Sequence, residues 1–112
     1  MPIKPPKIVK VGYLRMALEF VPEAELGDSR GQWRQHEGRI LIADHLSPQD
    51  RAETVIHELL HGCYPVFDMP AIESALVEEV VVSTIAPHFA QIIRDNPGLM
   101  TWMRQCLSTD KP

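Results

Sequence analysis

SPQDRAETVIHELLHG, residues 47–62, decides how this 112-residue chain folds. Ser47 offers a side-chain oxygen as N-cap, Pro48 fits the first helical position, and Asp50 suits the positive end of a helix dipole. A helix is expected from there to about His61, with Gly62 stopping it and Pro65 reinforcing the stop. Inside it stands H-E-x-x-H, with His57, Glu58 and His61 as its fixed positions. Residues four apart share one helix face, one turn above the other, so both imidazoles can meet a single ion. Glu58 follows His57 directly and points to one side, within reach of a water at that ion without being a ligand. Val55, Ile56, Leu59 and Leu60 flank the motif with apolar side chains and recess it. Zinc suits these donors, and a catalytic zinc takes three protein ligands and keeps a fourth position open. The spacing therefore predicts Zn2+ on His57 and His61, with Glu58 as general base.

Upstream, the pattern is that of strands. Ile8, Val9, Val11, Tyr13, Leu14, Met16, Leu18 and Phe20 alternate in part, and Gly12 marks a bulge or a bend between two short strands. EAELGDSRG, residues 23–31, reads as a polar loop. Residues 32–36 and 39–43 read as a hairpin around Glu37–Gly38. Arg39–Ala43 is almost continuously apolar, as in a strand covered on both faces.

Downstream, a second helix is expected from near Pro70 to Arg94, kinked or broken at Pro87. Asn96–Pro97 repeats the cap-then-proline signature. A third helix follows with Leu99, Trp102, Met103, Cys106 and Leu107 on one face. The fold class is α+β: a small antiparallel or mixed sheet from the first 43 residues, packed on two or three helices. The chain reads as one domain, 1–112, with an arm at 1–6 and a fraying tail at 109–112.

Two histidines need a third ligand. A third histidine at the H-E-x-x-H-x-x-G-x-x-H spacing is excluded, because Tyr64 stands at the glycine and Phe67 at the histidine. A glutamate from the next helix is the alternative. Glu78 and Glu79 lie 17 and 18 residues after His61, and both have apolar neighbours at helical spacing, so periodicity does not choose between them. Glu73 falls near the helix start, where an acid is favoured anyway. His36, His45 and His88 read as surface histidines, and Cys63 as a small buried hydrophobe.

Composition narrows the partners. The net charge is −4, from 11 basic and 15 acidic residues, with no dense basic run. Nucleic acid is thereby disfavoured, since phosphate binding needs clustered Lys and Arg. Lys4, Lys7 and Lys10 are interrupted by Pro5 and Pro6 and read as a solvated arm. No apolar run is long enough to span a bilayer, and Glu78 and Glu79 split the longest candidate. Two cysteines, Cys63 and Cys106, make no disulfide framework and read as free thiols in a reducing cytoplasm. The expected partner is a protein or peptide substrate; the oligomeric state is not legible.

ILIADHLSPQDRAETVIHELLHG, followed by EEVVVSTIAPHFAQIIRDNP, resembles small gluzincin-like metallopeptidases of phages and prophages, with ImmA/IrrE-type peptidases as more distant relatives. The resemblance covers about residues 39–103. It implies a minimal zincin-like fold, a cytoplasmic and phage-associated setting, a strand before the motif helix, Arg39–Ala43, that borders the cleft and whose free edge a peptide could join, and a glutamate of the following helix as third ligand. That glutamate typically sits three residues before a small or aliphatic position, which maps best onto Glu79 with Val82 and leaves Glu78 second. The function expected is metal-activated hydrolysis of peptide bonds. The rival reading is a non-catalytic zinc-binding adaptor or structural module of phage origin.

Overall fold

Val9 and Val11 are fully buried while Ile8 and Lys10 are exposed, the alternation of a strand with one face on a core. In the computed structural model this strand is β1 (Ile8–Val11), and β2 (Leu14–Val21) returns antiparallel to it, with Val11 opposite Leu14. Gly12 adopts φ 61° between them, so the expected bend is a two-residue hairpin loop whose first position needs positive φ. The structure describes residues 3–67 and 75–108, except for the side chains at 64, 67, 75–79, 82, 83 and 86.

β3 (Gly31–Arg34) and β4 (Arg39–Ala43) form the second antiparallel pair, joined by a short 3-10 turn at Gln35–Glu37 and by Gly38 at φ 65°. β4 also runs parallel to β2, so the sheet is mixed, with order β1-β2-β4-β3. Ile40, Leu41, Ile42 and Ala43 are all fully buried, as a strand covered on both faces requires. β4 lies between β2 and β3, however, and has no free edge. The expectation that β4 offers its edge to a peptide is therefore corrected: that edge belongs to β3.

The first helix, α1 (Pro48–Phe67), starts as its sequence dictates. The Asp50 backbone N–H donates to Ser47 Oγ at 3.2 Å, and the Arg51 N–H to the Ser47 carbonyl at 2.8 Å. Ala52, Val55, Leu59 and Cys63 form one fully buried stripe at helical spacing. Gly62 does not end the helix, which continues through Pro65 to Phe67. A methyl group on Gly62 would lie 2.5 Å from the Trp33 ring. This glycine serves close packing and not termination.

α2 (Ala75–Asp95) runs across Pro87 without a break, and α3 (Pro97–Leu107) follows after one residue. The expected start of α2 near Pro70 lies outside the described residues. Leu99, Trp102, Met103 and Cys106 are buried, but Leu107 is 46% exposed, one step beyond the buried face. Phe20 of β2 meets Trp102 edge-on at 5.9 Å between ring centroids and carries the Arg51 guanidinium over its face at 5.1 Å. None of the described helices is long and apolar enough to cross a membrane.

Asn96 does not cap α3 with its side chain. Its Oδ1 accepts from the Lys10 backbone N–H at 2.9 Å, and its Nδ2 donates to the Lys10 carbonyl at 2.9 Å and to the Ile92 carbonyl at 2.8 Å. Lys7 pairs with the Leu18 N–H, so by alternation the Lys10 backbone faces away from β2. The Asn96 carboxamide thus takes the place of a neighbouring strand's peptide group. Asn96→Ala should destabilise the protein by about 2–3 kcal/mol in urea denaturation, because it strands partly buried backbone groups. An unchanged midpoint would mean that water replaces the carboxamide without loss.

Candidate functional site

Three stripes of α1 divide the work. The buried stripe already described anchors the helix. Thr54, Glu58 and Gly62 follow one another at four-residue spacing along the side that meets β3. His57 and His61 lie one position round from Glu58 and Gly62 and are exposed. Their Nε2 atoms stand 3.0 Å apart, with ring centroids 4.7 Å apart and planes at 72°. One ring can donate to the other at this distance. It is also close to what a shared ion demands, since two nitrogens on a tetrahedral zinc lie about 3.3 Å apart.

The cleft at these rings has a volume of about 830 Å³. Its helix wall is Glu53, Thr54, His57, Glu58 and His61; its strand wall is residues 29–33. β3, the edge strand, therefore borders the cleft in the place expected for β4. Gly31 is what lets β3 come so near. A methyl group there would stand 2.8 Å from Thr54 Cγ2, 3.0 Å from the Leu41 carbonyl oxygen and 3.1 Å from Glu58 Cγ. Trp33, two residues on, sets its ring against Gly62. Two strand residues advance about 6.6 Å and four helix residues about 6.0 Å, so the two contact points stay in step.

Glu58 is buried, 6% exposed. Burial raises its carboxyl above the usual carboxylate range, while the charges of His57 and His61 and a hydrogen bond from the Trp33 backbone pull the other way. The Ala43 N–H donates to the Arg30 carbonyl at 2.8 Å, so the 30–43 pair is hydrogen-bonded and, by alternation, Gly31 and Trp33 direct their backbone groups to the free edge. The Trp33 N–H is thus aimed at Glu58 by the register of the sheet. A carboxylate placed this way can accept a proton and be held in one orientation while it does so.

Of the sequence-predicted residues, His57, Glu58 and His61 come together. The side chains of Glu78 and Glu79 lie outside the described residues, as does that of Tyr64, and Glu73 falls within 68–74, also outside them. Among the described residues no group of three or more His, Cys, Asp or Glu is placed to hold a metal. His36, His45 and His88 do not line the cleft. Cys63 is fully buried, and burial pushes its thiol up to about 11, so it stays protonated and inert. The strand wall escaped the sequence reading. Its signal was a glycine two residues before a tryptophan, together with a glycine directly after the motif.

The stability of the metal-free protein should carry the mark of Glu58. Its folded carboxyl titrates above 4.5, so just above that pH the folded state binds more protons than the unfolded one, and stability falls as pH rises through this window. Glu58→Gln should therefore raise the melting temperature in chelator near neutrality and have little effect near about pH 4. Equal shifts at both pH values would show that the Trp33 hydrogen bond and the histidine charges offset the burial. The chain matches no family model, and no curated protein or solved structure matches it.

Proposed function

We propose that this protein is a zinc-dependent hydrolase of the metallopeptidase type, a minimal zincin-like enzyme that cleaves peptide bonds. The observation that carries the reading is the convergence of the His57 and His61 Nε2 atoms, 3.0 Å apart on an open cleft, beside the buried Glu58. His57 and His61 would hold the ion, with Glu79 of α2 as third ligand and Glu78 second in line. When bound, zinc supplies a Lewis acid that polarises a carbonyl and activates a water.

The rest is done by the chain's own residues. Glu58 takes the proton from the attacking water and returns it to the leaving amine. The Trp33 N–H keeps the carboxylate aimed during both transfers. An extended peptide would lie along β3 and pair with the main-chain groups of Gly31 and the Trp33 carbonyl, which face the free edge. The phage and prophage resemblance and a cytoplasmic setting belong to the same proposal. The second reading, a non-catalytic zinc-binding adaptor, differs in coordination: a structural zinc takes four protein ligands, whereas a catalytic one keeps a position open.

Purified protein should hold one equivalent of zinc by elemental analysis, and His57→Ala or His61→Ala should abolish it. Glu58→Gln should retain zinc and lose peptide hydrolysis by about 10²–10⁴-fold, the usual share of a general base. Zinc-free wild-type protein after reconstitution would overturn the assignment; unchanged turnover in Glu58→Gln would remove Glu58 as the base.

A further inference from the structure

Trp33 presents an unusual contact for a residue at a cleft. Its ring occupies space that any side chain on Gly62 would fill: a methyl group there would meet three ring carbons at 2.5, 2.5 and 2.7 Å. The ring is half-buried, and its Nε1 donates to Gln35 Oε1 at 3.3 Å, which fixes it at the cleft end nearest the second histidine of the motif. The same strand meets Glu58 at Gly31, where a methyl group would stand 3.1 Å from Glu58 Cγ. β3 is thus stopped against α1 at two points, one above Glu58 and one at Gly62.

We propose that Trp33 is a positioning residue: by seating its indole in the notch left by Gly62, it fixes the free edge of β3 against Glu58 and so orients that carboxylate in the cleft. This deepens the proposed function, on whose reading of Glu58 as the base it rests. The indole touches no reacting atom in this scheme. It acts through its own backbone, because a strand cannot readily slide or tilt on a helix while a large planar side chain fills the space left by the missing side chain of Gly62. The notch explains why a glycine is tolerated mid-helix, where it is disfavoured by about 1 kcal/mol relative to alanine.

The test is amide hydrogen exchange at position 33 in the full-length protein, followed beside zinc affinity. Gly62→Ala should speed exchange at the Trp33 amide by about tenfold or more, the factor expected from losing a hydrogen bond to a charged group. Exchange in β2 and β4 should stay slow, and zinc affinity should change little because both histidines remain. Trp33→Phe, which keeps a ring for the notch, should retain most of the protection, whereas Trp33→Ala should lose it at position 33. Combining Gly62→Ala with Trp33→Ala should be no worse than Trp33→Ala alone, since the clash is gone. If Gly62→Ala does not fold, the Phe and Ala variants of Trp33 decide the matter.

Unchanged exchange at position 33 in Gly62→Ala, or equal protection in the Phe and Ala variants, would overturn the proposal. Loss of protection across the whole sheet would also overturn it, showing a merely structural contact. Failure of the wild-type protein to take up zinc would strike the proposed function and leave the exchange result standing on its own.

Discussion

The close approach of β3 to α1 governs the cleft, and it depends on two missing side chains. At Gly31 there is no room for a methyl group between the strand and the helix turn bearing Thr54 and Glu58. At Gly62 the room is taken by Trp33. Both are packing constraints of the hard kind, because folded interiors are as dense as organic crystals and yield little. The cleft, the burial of Glu58 and the aim of the Trp33 N–H all follow from how near these two elements come.

The motif's spacing gains its meaning from this arrangement. A pair of histidines four apart exists on many helices, and alone it says only that two rings share a face. Here the face next to it is pressed against a sheet edge, so the glutamate between the histidines is desolvated while the histidines stay open to solvent. One helix presents three environments within two turns: an apolar stripe for the core, a tight stripe for β3 and an open pair for the cleft. In the proposed function this division suits a general base, since burial raises the Glu58 carboxyl above the usual carboxylate range.

Much of the architecture was legible. Ser47 and Pro48 announced α1, Arg39–Ala43 announced a strand buried on both faces, and Asn96–Pro97 announced the start of α3. These signals are local, written in capping chemistry and in periodicity. What was not legible depended on partners far along the chain. Gly62 looks like a helix stop until Trp33 is seen against it. Asn96 looks like a cap until Lys10, 86 residues away, is found to use its carboxamide. Arg39–Ala43 was placed at the cleft by resemblance, as the strand before the motif helix; a central and an edge strand of similar length read alike, and the edge is β3. Leu107 sits on the apolar stripe of a helical wheel, yet it is 46% exposed, because the buried face of α3 is centred on Leu99, Trp102, Met103 and Cys106. For the histidine–glutamate motif the sequence named three residues that do meet, whereas the choice between Glu78 and Glu79 came from resemblance alone.

The two outer strands of the sheet are finished in different ways. A carboxamide is both donor and acceptor, so Asn96 satisfies the N–H and the C=O of Lys10 together and closes β1 at that point. A carboxylate only accepts, so Glu58 can quiet the Trp33 N–H but leaves the carbonyls of Gly31 and Trp33 with unspent lone pairs. At Lys10 the outward groups of one margin are met from within the chain, whereas the opposite margin turns the Gly31 and Trp33 carbonyls to its free edge. In the proposed function, an extended peptide that meets this molecule edge-on finds its hydrogen-bonding partners on the margin beside His57 and His61.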